Sequence, residues 1–125
     1  MIVEQRTYDI VPGKIAEYVD LYERLGVAVQ VRHLGSLIGY FHSEFGDLNQ
    51  ITHLWRYDDL ADRATRRARL FADPQWLEFF HGVLPIIVKQ RSVLLNPLPF
   101  VSPQSALISS ADDADQRQET GAQDI

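Results

Sequence analysis

Cysteine is missing from all 125 residues. That excludes a disulfide scaffold, a thiolate metal centre and a cysteine nucleophile, and it agrees with the cytoplasm as the expected compartment. No apolar run is long enough to cross a bilayer, and the opening Met1-Ile2-Val3-Glu4-Gln5-Arg6 lacks the apolar centre of a signal peptide. There is no GxGxxG, no P-loop and no GxSxG elbow. His33, His42, His53 and His81 follow no ligand spacing and no HExxH occurs, so no metal and no other cofactor is expected. Excess positive charge is missing as well. The net charge is −5, and the segment after residue 101 holds five acids against Arg117 alone. The remainder is nearly neutral, which argues against nucleic acid or an anionic membrane as a partner.

What is present reads as one domain. Hydrophobic residues make up 46% and charged residues 23%, ordinary values for a globular chain able to bury a core. Residues 2–11 alternate as a strand, with Ile2, Glu4, Arg6, Tyr8 and Ile10 on one face, and Pro12-Gly13 ends it. Ile15, Tyr18, Val19, Tyr22 and Leu25 recur at helical spacing over 14–25. Gly26 should end or kink that helix, with a second helical turn over 28–33. Residues 35–45 and 49–57 read as two strands of a hairpin turning at Gly46-Asp47. The first places Leu37, Gly39 and Phe41 opposite Ile38, Tyr40 and His42. Asp58 and Asp59 then offer N-cap oxygens to a helix over 59–72. Asp73-Pro74 restarts a helix over 75–81, and 87–95 is the last strand.

The order β-α-β-β-α-β predicts an α+β, ferredoxin-like fold: a four-stranded, mainly antiparallel sheet with the helices on one face. Strands one and three are expected side by side and parallel at its centre. The other face, read as apolar, needs cover, and the simplest cover is a second copy stacked about a two-fold axis. The domain is placed at 1–101. Residues 102–125, rich in Ser, Ala, Asp, Gln and Glu, are expected to be a disordered acidic tail.

His53 is the sharpest chemical candidate. It lies mid-strand between Ile51 and Trp55 on its own face, and neighbouring strands would bring Arg6 and Tyr8 near it. Such a group around an apolar pocket could orient a carboxylate or carbonyl ligand, with His53 titrating near neutrality. The structural alternative is a buried histidine satisfied by a backbone carbonyl or by Glu4. Glu4 and Arg6, two apart, are expected to form a salt bridge, within the chain or across a dimer. Trp55, Trp76, Phe79 and Phe80 are expected to pack. Arg63, Arg66, Arg67 and Arg69 look basic, yet Asp59 and Asp62 precede Arg63 and Arg66 by four, the favoured ion-pair spacing. That face is read as solvated and self-compensated.

Glu4-Gln5-Arg6-Thr7-Tyr8, Pro12-Gly13-Lys14, Leu34 to Phe41, Asn49 to Tyr57 and Leu60-Ala61-Asp62-Arg63 together resemble the NIPSNAP family over about residues 1–103. Gln5 departs from the leucine more usual there. The resemblance implies a homodimeric α+β barrel and a short, bacterial-type member, and it carries no established catalytic residue. Two functions follow. One is a small-molecule-binding protein or cofactor-free enzyme, with Arg6 and His53 polarising a ligand and Tyr8, Tyr40 and Trp55 walling it. The other is a structural or interaction module whose polar residues only satisfy one another across the dimer.

Overall fold

The computed structural model describes residues 1–100. The expected tail, 102–125, lies outside the described residues.

Alternation carries β1, Ile2–Ile10, and the chain then enters one long helical stretch. α1, Ile15–Leu21, passes through a π-helical segment at Tyr22–Gly26 into α2, Val27–Leu34. Gly26 therefore neither ends nor breaks the helix; the extra residue is absorbed as a π-bulge, a feature frequent at functional sites. Gly35, at φ +85°, closes α2, its N–H bonding the carbonyl of Val31 at 2.8 Å.

β2 spans Ser36–His42 and β3 spans Gln50–Tyr57, so the hairpin loop opens earlier than its sequence suggests. Leu37 lies opposite Trp55 but Gly39 opposite Leu54, which makes Ile38 the extra residue of a β-bulge. The bulge flips the alternation. Leu37 and Tyr40, expected on opposite faces, both pack into the core.

Asp59 caps α3, Leu60–Phe71, by accepting from the N–H of Asp62 at 2.7 Å. Asp73 caps α4, Pro74–Val83, by accepting from Gln75 at 2.9 Å, with Pro74 in the first turn. A 3₁₀ turn at Leu84–Ile86 leads into β4, Ile87–Leu95.

The sheet order is β2-β3-β1-β4, and every neighbouring pair is antiparallel. This is the four-stranded α+β, ferredoxin-like fold. Strands β1 and β3 are adjacent as expected, but they run antiparallel, not parallel. The crossover through α1 and α2 returns β2 in the direction of β1, and the hairpin then reverses β3.

The helices cover one face. Tyr8, Ile10, Ile51, Trp55 and Tyr57 from the sheet bury against Tyr18, Tyr22, Val29, Leu34, Leu70, Trp76, Phe79 and Val83. Trp76 and Phe79 pack as read, with ring centroids 5.0 Å apart. The open face is not uniformly apolar. One half is polar: Thr7 bonds Thr52, and Asp9 bonds Gln50 and pairs with Arg91 at 2.9 Å. The register sets an apolar half beside it, with Gln5 between Leu54 and Val93 and Val3 facing Leu95.

Candidate functional site

Strand register assembles the site. Arg6 on β1 and Tyr40 on β2 both lie opposite His53 on β3, while Tyr8 and Trp55 stand two residues along on the same face. All five expected residues therefore meet under the helices. The ring of Tyr40 stacks on His53 at 4.4 Å and that of Tyr8 meets it edge-on at 5.0 Å. Arg6 donates from Nε to the Tyr8 hydroxyl at 3.2 Å.

His53 is fully buried, and its partner is neither a backbone carbonyl nor Glu4. The indole N–H of Trp55 donates to Nδ1 of His53 at 2.6 Å. An accepting Nδ1 places the proton of the neutral ring on Nε2. That Nε2 has no partner among the described residues. Burial first, then the charge of Arg6, pushes the pKa down to about 3. Titration near neutrality is thus overturned: the ring is neutral at pH 7 and can hydrogen-bond but not relay a proton there.

Beside His53 lies a buried carboxylate. Glu4 takes Arg6 at 3.1 Å, Arg63 at 2.8 and 3.0 Å, and the hydroxyl of Ser92 at 2.6 Å. Burial opposes its ionisation, but Arg63, Ser92 and Arg6 outweigh that and hold its pKa at about 2. The Glu4–Arg6 salt bridge forms as expected. Arg66 pairs with Asp62 at 2.8 Å, also as expected. Arg63 does not pair with Asp59, because Asp59 is occupied as the cap of α3 and the buried Glu4 demands a cation.

On the β2 side a cleft of about 270 Å³ opens between the helical stretch and the sheet edge. Tyr18 and Tyr22 wall it from the helix, Tyr40 and Phe41 from β2, and Ile51 from β3. The hydroxyls of Tyr18 and Tyr40 bond at 2.6 Å, and Tyr22 donates to Oε1 of Gln30 at 2.6 Å. Burial raises the pKa of all three tyrosines, so the hydroxyls stay protonated. Tyr18 and Tyr22 escaped notice in the sequence because a tyrosine in an apolar helical stripe reads as core. His42, exposed at the end of β2, lines the same cleft.

Among the described residues no group of His, Cys, Asp or Glu is placed to hold a metal ion, and no helix is long and apolar enough to cross a membrane.

A family model described as NIPSNAP matches residues 3–103. Protein NipSnap homolog 3A of Homo sapiens is 33% identical over 99 residues, a match covering 78% of this chain and 39% of that protein. The chain thus spans about two-fifths of the length of that curated relative. An uncharacterized NIPSNAP-like domain protein from Burkholderia xenovorans superposes with a TM-score of 0.79 at 46% identity, covering 82% of this chain and 89% of that one. A putative antibiotic biosynthesis monooxygenase from Nitrosomonas europaea superposes at 0.59 with 14% identity, covering 78% and 99%, and shares the fold alone.

Proposed function

The chain belongs to the NIPSNAP family, and from that premise we propose that it is a homodimer that binds a small molecule between sheet and helices. Tyr18, Tyr22 and Tyr40 form the walls, and His53, stacked behind Tyr40, supplies the polar group a ligand oxygen would reach. The observation that carries this reading is the Nε2–H of His53, a fully buried donor with no partner among the described residues. Leaving such a group unsatisfied costs about 1–3 kcal/mol, which a ligand oxygen would offset. The tyrosine cleft gives that ligand a seat, and its wall Tyr40 lies directly on the imidazole. A cleft of this kind supports binding over the alternative of an interaction module. A histidine held neutral supports hydrogen bonding to the ligand over proton transfer.

A second copy would cover the open sheet face, where apolar Leu54, Val93 and Leu95 lie beside the Asp9–Arg91 trough.

The test is titration with acetophenone, a neutral aromatic ketone, watched through the His53 imidazole resonances and by calorimetry. The expected result is saturable movement of the Nε2–H signal and weaker binding in Tyr18→Phe. Unmoved His53 signals at saturating probe, with the fold intact, would overturn the proposal.

A further inference from the structure

Another cavity lies across the sheet from the tyrosine cleft. On the open face, strand register sets Thr52, Thr7 and Arg91 in one row across β3, β1 and β4, and Gln50 beside Asp9 in the next. With Gln5 they line a trough of about 580 Å³, to which the hairpin loop adds Asp47 and Leu48. That loop is tied to the sheet. Asn49, at φ 61°, accepts the N–H of Ile10 on its carbonyl at 2.8 Å, and asparagine is among the few residues besides glycine that adopt this backbone readily. The apolar residues Leu54 and Val93 adjoin the trough at Gln5, their common neighbour on β1.

The lining side chains only partly satisfy one another. Thr7 and Thr52 share one hydrogen bond at 3.3 Å, which leaves one hydroxyl proton over. Gln50 donates its amide to Asp9 at 2.9 Å and keeps its Oε1 free. Arg91 spends its two terminal nitrogens on Asp9, at 2.9 and 3.2 Å, and keeps its Nε–H. Gln5 keeps both its donor and its acceptor among the described residues. The spare valences are therefore mixed in kind. The charges of Asp9 and Arg91 cancel, and Asp47 leaves one negative charge, which disfavours an anion. Lys89, opposite Asp9 on β4, disfavours a cation.

We propose that this trough binds a neutral cyclic polyol, a sugar-like ring. Each hydroxyl of such a ring both donates and accepts, the match for a wall offering both, and exposed Leu48 would meet its C–H face. The site is separate from the tyrosine cleft and stands or falls without it.

The test titrates the full chain, at fixed ionic strength, with myo-inositol, with cyclohexanol, which is the same ring bearing one hydroxyl, and with inorganic phosphate. Inositol should move the backbone amide resonances of Thr7, Gln50 and Thr52 saturably, and bind about tenfold or more tightly than cyclohexanol, the scale of one or two net hydrogen bonds. Thr52→Val and Gln5→Met each keep the side chain's shape and remove its hydrogen-bonding atoms. Each should weaken inositol by about two- to tenfold and leave the cyclohexanol response unchanged; should one fail to fold, the other carries the test. Inositol binding no tighter than cyclohexanol, phosphate binding as tightly as inositol, or undiminished inositol affinity in a folded variant overturns the proposal. Acetophenone binding in the tyrosine cleft is unaffected by any of these outcomes.

Discussion

Trp55 donates its indole N–H to Nδ1 of His53 across 2.6 Å, and both rings are closed to solvent. Because the two residues sit at i and i+2 on β3, the bond needs no long-range ordering beyond the strand itself. It fixes the tautomer, holds the imidazole against Tyr40, and denies the ring a second proton.

That last consequence gives a pH signature. The folded pKa of His53 is about 3 against an ordinary value of 6.5, so below pH 6.5 the unfolded chain binds a proton that the folded chain refuses. Stability should therefore fall as pH drops through this window, by up to about 1.4 kcal/mol per pH unit. His53→Asn keeps an acceptor for Trp55 but cannot titrate. Chemical denaturation between pH 6.5 and 4.5 should show a markedly shallower slope in that variant. Equal slopes would mean that His53 is not held neutral by the fold.

Glu4 governs the next window. Its folded pKa, about 2, lies below the ordinary value of 4.5, so its contribution is present above pH 4.5 and is lost as pH falls toward 2. Glu4→Gln should cost about 3 kcal/mol at pH 7, since it strands Arg6 and Arg63 without their carboxylate. Adding Arg63→Met should recover part of that loss, because the two residues share one pair. A double variant that loses the sum of both single losses would show the pair to be energetically uncoupled.

The strands, helices and hairpin were legible because period-two and helical patterns are local properties, and Asp59, Asp73 and Pro74 announce their caps. The meeting of Arg6, Tyr8, Tyr40, His53 and Trp55 was legible from strand adjacency. The direction of β3 relative to β1 is not set by adjacency: the crossover and the hairpin together make the pair antiparallel. Three features were hidden. The Ile38 bulge moves Tyr40 to the core side, and nothing in Leu37 to Phe41 marks it except Gly39. The partner of Arg63 was hidden because a cap and an ion pair compete for Asp59, and only burial of Glu4 decides the contest. The pKa of His53 depends on burial, which spacing does not report.

Gly26 ties the helical bulge to the cleft. A Cβ there would lie 2.8 Å from Cδ1 of Tyr22 and 3.0 Å from the ring of Phe79. Alanine gains about 1 kcal/mol in helix propensity over glycine, but overpacking costs about 1–3 kcal/mol. Both rings are buried and wedged, 5.5 Å apart and edge-on, so neither can simply swing away. Gly26→Ala should lower the melting temperature and, by displacing Tyr22, weaken acetophenone binding. A variant more stable than the parent would show that the rings have room to give.

Val93 offers the sharpest test of the twin copy proposed for the open face. In the single chain it is 48% exposed, opposite Gln5 and on the same side as Leu54 and Leu95. An aspartate at such a position costs within about 0.5 kcal/mol when it faces water. Pressed against a second sheet it becomes a buried, unpaired charge, repeated twice by symmetry. Val93→Asp should therefore leave the unfolding of the isolated chain almost unchanged while shifting sedimentation equilibrium from dimer to monomer at micromolar concentration. The Asp9–Arg91 pair serves as the control: Arg91→Gln changes the polar half of the face while keeping a hydrogen-bonding side chain, and should perturb assembly less. A parent chain that sediments as a monomer across the same range, or a Val93→Asp chain that dimerises equally well, would place any self-association elsewhere on the molecule.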